Sequence, residues 1–178
     1  MKKKIDVFEH MGEILNGVKN GVLITGKADG RVNSMTISWG MVGVEWGKPV
    51  FITFVRESRF TRSLLEKSGE FTVNIPLDDS AKKILGYCGA KSGRDVDKAK
   101  EIGLTYEEPE TISVPGVKEL PLTLECKVVY KQTQDTEAMT EENREKFYPQ
   151  NVESSFSGAN RDTHIAYYGE IVDAYVIE

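Results

Sequence analysis

Several segments of the chain alternate apolar and polar residues with a period of two, which is the pattern of half-buried β-strands. Residues 32–39 show it most clearly, and the apolar segment 22–25 precedes them. Asp29-Gly30 between the two segments predicts a hairpin turn, because such a turn requires positive φ and glycine adopts it without steric cost. Further strands are predicted at 50–55, 71–75, 122–132 and 164–177, the last with a bulge at Gly169.

Helical periodicity is limited to short segments between these strands. Helices are predicted at 9–15, from Phe60 to a stop at Gly69, from a cap at Asp78 through Leu85, from a cap at Asp95 through Ile102, and at 137–147 as a charged helix or lid. A glycine-rich loop is expected at 86–94, and a chain break at 47–49. The strands outweigh the helices and do not alternate with them regularly. This order favours an antiparallel barrel with inserted helices over a doubly wound parallel sheet.

Length and charge narrow the possible partners. The 178 residues fit one domain spanning 1–178 better than two. The net charge of −5 argues against nucleic acid or an anionic membrane, because both need a basic footprint. Charges interrupt residues 1–15 too often for a signal peptide, and no apolar run approaches membrane-spanning length. Cys88 and Cys126 form no CxxC motif, so we expect reduced thiols in the cytoplasm and neither a zinc site nor a redox dithiol.

An anion site is predicted where the strand at 50–55 passes into the following helix. Arg56, Ser58, Arg59 and Thr61 lie at this junction, near the unpaired N–H groups and partial positive charge of a helix N-terminus. Two guanidiniums and two hydroxyls there could cradle a phosphate. The alternative is structural: Ser58 caps the helix and both arginines are solvated.

Two other segments carry candidate ligand contacts. Residues 33–40 place small polar side chains along a strand, where a planar heterocycle could pair with backbone and hydroxyl groups; the alternative is an ordinary half-buried strand. The loop 88–94 is similar to a phosphate-binding P-loop, but Leu85 and Ala90 stand where that motif requires glycine. No GxGxxG motif occurs either. Neither a nucleoside triphosphate site nor a Rossmann dinucleotide site is therefore predicted.

No catalytic side chain and no metal site is predicted. His10 and His164 are far apart in the sequence and lack metal-ligand spacing, so His164 is expected to be a structural or rim histidine. Cys88 lies beside Lys91 and Arg94, which could lower the pKa of its thiol. A packing or cofactor-adjacent role is nevertheless favoured for this cysteine.

Taken in order, these segments resemble the flavin reductase-like, FMN-binding split-barrel family, especially its flavoredoxin branch. The resemblance runs from about residue 12 to the C-terminus and is weakest at 133–162, where substrate access is expected to be set. It rests on the order and spacing of 33–40 (Asn-Ser-Met-Thr-Ile-Ser-Trp-Gly), 49–56 (Pro-Val-Phe-Ile-Thr-Phe-Val-Arg), 58–61 (Ser-Arg-Phe-Thr), 68–76 (Ser-Gly-Glu-Phe-Thr-Val-Asn-Ile-Pro), 88–98 (Cys-Gly-Ala-Lys-Ser-Gly-Arg-Asp-Val-Asp-Lys), 120–126 and 168–172 (Tyr-Gly-Glu-Ile-Val). The family implies a mainly β, antiparallel Greek-key split barrel with inserted helices.

The resemblance also implies a homodimer with one FMN per subunit near the dimer interface. By position, residues 33–39 would line the flavin ring, the segment 56–61 would hold the phosphate, and the loop 88–94 would approach the ring or the partner subunit. The implied cofactor-binding residues are Asn33, Met35, Thr36, Ile37, Ser38, Trp39, Arg56, Ser58, Arg59, Thr61, Asn74, Cys88, Gly89, Lys91 and Ser92.

Three functions remain open on the sequence. The first is a flavin-dependent enzyme, an NAD(P)H-dependent flavin or ferric reductase, in which hydride or electrons pass through flavin N5 and no acid–base triad is needed. The second is a flavoredoxin-type electron-transfer protein that receives electrons from a redox protein partner, for which the negative charge suits docking to a basic surface. The third is a non-redox module for haem or another flat ligand, with His10 and His164 as the available imidazoles.

Overall fold

The computed structural model describes residues 1–178. Its strands are β1 (Lys2–Lys4), β2 (Val22–Ala28), β3 (Arg31–Ile37), β4 (Gly40–Glu45), β5 (Lys48–Arg56), β6 (Glu70–Ile75), β7 (Tyr106–Glu107), β8 (Gly116–Val117), β9 (Leu122–Thr133) and β10 (His164–Ile177). Its helices are α1 (Met11–Asn20), α2 (Phe60–Ser68), α3 (Lys82–Ala90), α4 (Lys98–Ile102) and α5 (Glu141–Phe147), with 3₁₀ turns at Asp79–Ala81 and Thr136–Ala138. No helix combines the length and the hydropathy that a bilayer crossing requires.

One antiparallel sheet contains every strand except β7 and β8, which pair with each other. Its hydrogen-bonded order is β3-β2-β6-β9-β10-β5-β4, and β1 pairs with the end of β10. The prediction of an antiparallel β fold with helices inserted between strands is thereby confirmed. The ladder of β9 and β10 shifts register between Tyr168 and Gly169, which confirms the predicted bulge.

The two edges of the sheet are β3 and β4, although these strands follow each other in the chain. Only Ser38 and Trp39 connect them. Three trans peptide units from Ile37 to Gly40 span at most about 11 Å. The sheet therefore has to curl until its two edges are neighbours, and the result is a barrel that is split between β3 and β4.

Alternate strand residues face two different apolar clusters. Ile24 of β2 points into the barrel, where it packs in one core with Phe51 and Leu124, and with Ile14 of α1. Each fully buried aliphatic side chain of this kind stabilises the fold by roughly 1.5–3 kcal/mol. Leu23, the neighbour of Ile24, points to the opposite face and joins a smaller cluster under α3 and α4. This second cluster fixes the helices that border the candidate site.

The hairpins show one prediction that holds and one that fails. Asp29 and Gly30 both have positive φ in the turn between β2 and β3, as predicted. The expected chain break at 47–49 is wrong, because Trp46 and Gly47 form a second positive-φ turn that joins β4 to β5. The sequence pattern does not predict β4, since its residues are mostly partly exposed and show no clean alternation.

Two helix predictions also need correction. Residues 86–90, expected in a glycine-rich loop, are the last part of α3. Each glycine in a helix costs about 1 kcal/mol relative to alanine, but packing of Leu85 and Cys88 in the smaller cluster outweighs this preference. Helix α4 is capped by Asp97 and not by Asp95, because the Asp97 carboxylate accepts from the Lys100 amide.

Candidate functional site

Two adjoining cavities open near the split of the barrel. The first cavity has a volume of about 630 Å³ and the second about 440 Å³, and they share a wall of Met35, Thr36, Arg59 and Ser157. The first cavity brings together ten of the predicted residues: Asn33, Met35, Thr36, Ser58, Arg59, Thr61, Cys88, Gly89, Lys91 and Ser92. The second cavity adds Ile37, Ser38, Trp39 and Arg56.

The N-terminus of α2 faces the first cavity without a side-chain cap. Its N-cap residue is Arg59, whose side chain makes no capping bond, and Ser58 donates its hydroxyl to the Ser154 carbonyl at 3.3 Å instead. The amide groups of Phe60 and Thr61 have no backbone acceptor. The structural alternative, in which Ser58 caps the helix, is therefore wrong, and the free N–H groups are available to an anion.

The side chains beside this helix end are held by buried hydrogen bonds. The Asn33 amide donates to the Thr61 hydroxyl at 2.8 Å, and both residues are almost fully buried. Because Thr61 accepts this bond, its own proton remains available for donation. Gly93 packs closely against Asn33: a Cβ on Gly93 would lie 2.1 Å from Asn33 Oδ1. The loop after α3 therefore packs directly against Asn33, the residue whose hydrogen bond positions Thr61.

Positive charge is concentrated around the first cavity although the whole chain is acidic. Arg59, Lys91, Arg94 and Lys98 line it, against the single carboxylate of Asp95. Burial lowers the pKa of Arg59, the charge of Asp162 opposes this, and that of Arg94 adds to it. No protein group accepts a hydrogen bond from the Arg59 guanidinium. An anionic ligand is the natural partner of such a desolvated cation.

Arg56 does not lie with the phosphate candidates, contrary to the sequence prediction. Its guanidinium donates to three main-chain carbonyls, those of Asn160 at 3.1 Å, Asp162 and Phe147 at 2.8 Å. Burial lowers the pKa of Arg56, as it does for Arg59. Since its donors are used within the protein, Arg56 anchors the segment after β9 and is not free to bind a ligand in the first cavity.

Asn74 is also absent from both cavities. It is fully buried in the middle of the sheet, where its amide donates to Thr123 and its carbonyl accepts from Thr25 and Thr72. Thr25 in turn shares a 2.8 Å hydrogen bond with Ser34. These polar side chains satisfy each other across four strands, so Asn74 is a structural residue, because all its hydrogen-bonding groups point into the protein.

The thiol of Cys88 is not activated. The residue lines the first cavity, but its side chain is buried in the smaller apolar cluster. Burial raises the pKa of Cys88, and the nearby charge of Lys98 opposes this only in part. The expectation that Lys91 and Arg94 lower this pKa is wrong, because burial dominates and the charge that opposes it is that of Lys98.

The loop that follows α3 is tied to α2 by two arginines that sequence reasoning missed. Arg94 donates to the Ser58 carbonyl at 2.7 Å, and Arg31 donates to the Gly93 carbonyl at 2.8 Å. Both guanidiniums lie over the Phe60 ring, at 5.8 and 4.5 Å from its centroid. Their spacing in the sequence gives no signal for this, because the contacts join residues 29 to 62 positions apart.

Aromatic side chains define the second cavity. Trp39 contacts the Phe147 ring at 5.1 Å and the His164 ring at 4.9 Å between centroids. His164 Nδ1 lies 2.8 Å from the Tyr148 hydroxyl. Burial, Arg56 and Arg59 lower the pKa of His164 to about 3, so the ring is neutral near pH 7. His164 is thus a cavity-rim residue, as predicted, and is held by aromatic packing.

The segment 134–163, where the family resemblance is weakest, reaches both cavities. Ser154 and Ser155 line the first cavity, Gly158 and Ala159 line the second, and Ser157 lines both. Arg56 holds this segment through its carbonyls. Access to the two cavities therefore depends on a segment to which one buried guanidinium contributes three hydrogen bonds.

A family model described as "Flavin reductase like domain" matches residues 15–178. The chain belongs to the flavin reductase-like family. An uncharacterised protein of Archaeoglobus fulgidus is 30% identical over 120 residues, which are 67% of this chain and 66% of that protein. The chain therefore spans slightly less than two thirds of that relative's length.

Solved structures of the family share this fold. The flavoredoxin of Methanosarcina acetivorans is 28% identical, with a TM-score of 0.63 over 89% of this chain and 68% of that one. The FMN-binding domain of a flavin reductase-like enzyme from Shewanella baltica covers 99% of this chain and 77% of its own, with a TM-score of 0.66 at 16% identity. The sequence resemblance to this family, its flavoredoxin branch and its split-barrel fold is confirmed.

Proposed function

We propose that this protein binds FMN and is a flavin-dependent oxidoreductase. The observation that carries the proposal is the uncapped N-terminus of α2, which meets the desolvated Arg59 and the buried Thr61 at one end of the first cavity. This arrangement fits the phosphate of FMN, because amide donors, a hydroxyl proton and an unpartnered cation converge there. Its relatives named as FMN-binding proteins support the same ligand.

The remaining contacts are assigned along the two cavities. Ser58, Arg59 and Thr61 hold the phosphate end, together with Arg94, which adds positive charge. The backbone and side chains of 33–39 line the flavin ring from Asn33 to Trp39, with Met35 and Thr36 in the wall that the cavities share. Gly89, Lys91 and Ser92 border the ring from the end of α3. Arg56 and Asn74 are removed from the binding set for the reasons given above.

Bound FMN supplies hydride and electron transfer at N5. The protein binds and orients it, and the segment 134–163 restricts water at the open side. Because its pKa is lowered, His164 is neutral near pH 7 and carries no charge that would repel a nicotinamide. NAD(P)H is the proposed electron donor, and a second flavin or ferric iron is the proposed acceptor class.

A homodimer is part of the proposal. Strand β4 is an edge of the sheet, begins next to Trp39 and exposes Met41 and Val44, with Trp46 after it. An exposed apolar strip of this kind, continuous with the second cavity, is a typical subunit interface. Cys88 and Cys126 are both buried and unpaired, which supports a reducing compartment such as the cytoplasm.

The second candidate is a flavoredoxin-type electron-transfer protein, which the 28% identity to the flavoredoxin of Methanosarcina acetivorans favours. It has the same FMN site but takes electrons from a protein donor. The net charge of −5 suits a basic partner surface.

One absorbance experiment separates these candidates. The protein is loaded with FMN and titrated with NADH and NADPH without air. Bleaching of the flavin bands at about 450 nm supports the reductase. A spectrum that persists, with rapid reduction by a reduced ferredoxin, supports the electron-transfer protein. A colourless protein that does not take up FMN contradicts both.

A further inference from the structure

Lys98 is a buried ammonium group without a counter-ion. The side chain is 3% exposed at the start of α4 and forms no salt bridge. The carboxylates nearest in sequence, Asp95 and Asp97, are both exposed, and Asp97 is used to cap α4. Burial is thus combined with a charge that no protein anion neutralises, a combination that usually costs several kcal/mol.

Two of the three ammonium protons are used on main-chain carbonyls. Lys98 donates to the Ser34 carbonyl in β3 at 2.9 Å and to the Cys88 carbonyl in α3 at 2.8 Å. It therefore joins the strand and the helix that border the first cavity. The third proton has no partner in the protein, and the residue itself lines that cavity. A lysine with this arrangement presents both a donor and a positive charge to a ligand.

The position of Lys98 distinguishes it from the phosphate site. The proposed phosphate donors are the amides at the start of α2 with Ser58, Arg59 and Thr61. Lys98 instead comes from α4 and is attached to Ser34 and Cys88, which belong to the segments 33–39 and 88–94 assigned to the ring. Burial lowers the pKa of Lys98, the Cys88 thiol opposes this, and Arg59 adds to it, so a nearby negative charge would stabilise its protonated form.

A flavin ring is neutral when oxidised and gains negative charge around N1 on two-electron reduction, and charge near N1 or N5 is a principal way in which a protein tunes this cofactor. We propose that Lys98 stabilises the reduced form of the bound flavin ring and so raises its reduction potential. This inference rests on the proposed function, because it assumes FMN in the first cavity. It assigns a redox-tuning role to Lys98, the last residue of the segment 88–98.

The test compares Lys98→Met with Lys100→Met, measured as FMN complexes. Lys100 lies on the same helix, is exposed and pairs with Asp97, so its removal changes the same formal charge outside the cavity. The midpoint potential is determined by anaerobic reduction beside a reference dye, and the dissociation constant of oxidised FMN by fluorescence. For Lys98→Met we expect the ratio of reduced to oxidised FMN affinity to fall about tenfold, which is about 30 mV for a two-electron couple. For Lys100→Met we expect no shift.

A fall in affinity that is equal for both oxidation states, with an unchanged potential, overturns the proposal and assigns Lys98 a purely structural or phosphate-binding role. Far-UV circular dichroism and thermal unfolding check that each variant folds. Should Lys98→Met not fold, Lys98→Gln keeps an amide donor for one carbonyl and removes the charge, and the same lowering of the potential is expected. If the wild-type protein does not bind FMN at all, the proposed function fails first; if it binds FMN and both neutral variants keep its potential, only the role of Lys98 fails.

Discussion

The two cavities share a wall but are built in different ways, and Arg59 and Arg56 show the difference. Arg59 is the N-cap residue of α2, lines both cavities and has no hydrogen-bond acceptor in the protein. Arg56 ends β5 and gives its donors to three carbonyls of the segment 134–163. Both guanidiniums are desolvated, and burial lowers both pKa values. Desolvation alone therefore does not distinguish the two arginines; the absence of internal partners does, and it is the basis for proposing Arg59 as the ligand contact.

Replacing Arg56 with alanine is expected to have the largest effect, and it should act on stability. Three carbonyls lose a charged donor, and the segment 134–163 loses its anchor, so the free energy of unfolding should fall by about 3 kcal/mol. Chemical denaturation measures this. Arg144→Ala, on the surface of α5, is the control and should change it by less than about 0.5 kcal/mol. An Arg56→Ala protein of unchanged stability but strongly reduced FMN affinity would place Arg56 in the ligand site after all.

Replacing Arg59 with alanine should give the opposite result. The free energy of unfolding should stay nearly constant, while FMN binding weakens by about 2 kcal/mol, or roughly thirtyfold, because a charge-assisted contact to the phosphate is lost. Fluorescence titration gives the dissociation constant. Lys67→Ala removes a cation from the exposed far end of the same helix and serves as the control. Equal affinities for the Arg59 and Lys67 variants would contradict the assignment of the phosphate site.

Replacing Gly93 with alanine tests whether the packing around Thr61 matters. The added Cβ would lie 2.1 Å from Asn33 Oδ1 and 2.8 Å from a Phe60 ring carbon, so Asn33 has to move. We expect FMN binding to weaken by about 1 kcal/mol or somewhat more, in the range for overpacking. Gly86→Ala, with nothing within 4 Å of its added Cβ, should leave binding unchanged and stabilise α3 slightly. If Gly93→Ala and Gly86→Ala bind FMN with the same affinity, the Asn33–Thr61 pair plays no part in binding.

The smallest effect concerns the second cavity and pH. His164 is neutral in the folded protein because burial and the two arginines lower its pKa to about 3, whereas an unfolded histidine binds a proton below about 6.5. The unfolded state therefore binds more protons between these values, and stability is lost as the pH falls. Between pH 6 and pH 5 the wild-type protein should lose about 1 kcal/mol more than His164→Gln. Parallel pH dependences for the two proteins would mean that folding does not lower the pKa of His164.

The fold could be predicted further from the sequence than the site could. Period-two alternation, the Asp29-Gly30 turn and the glycine at position 169 are local features of the sequence. They therefore suffice to predict β2, β3 and the bulge in β10. Strand β4 was missed because it lies at an edge and has no buried face to produce alternation. The predicted helix ends at Leu85 although α3 continues to Ala90, because its glycines disfavour a helix and only tertiary packing offsets this preference.

The structure places the candidate site residues in one neighbourhood, whereas their roles as ligand contacts stay a prediction. Fourteen of the fifteen line one of the two cavities, and Asn74 does not. The role of Arg56 depends on carbonyls about 91 to 106 positions away, and that of Lys98 on Ser34, which is 64 positions away. No local pattern carries such contacts. Residue type and helix position can predict an anion site, but only the fold shows which cation is left without a partner.

The most direct test of the central claim is a parallel titration of the purified protein with FMN and with riboflavin, which differ only in the phosphate. If the start of α2 and Arg59 receive the phosphate, FMN should bind at least tenfold more tightly, a difference of about 1.4 kcal/mol, and this preference should be clearly smaller in Arg59→Ala, which keeps the α2 amides. Equal binding of the two flavins by the wild-type protein, or binding of neither, would contradict the account.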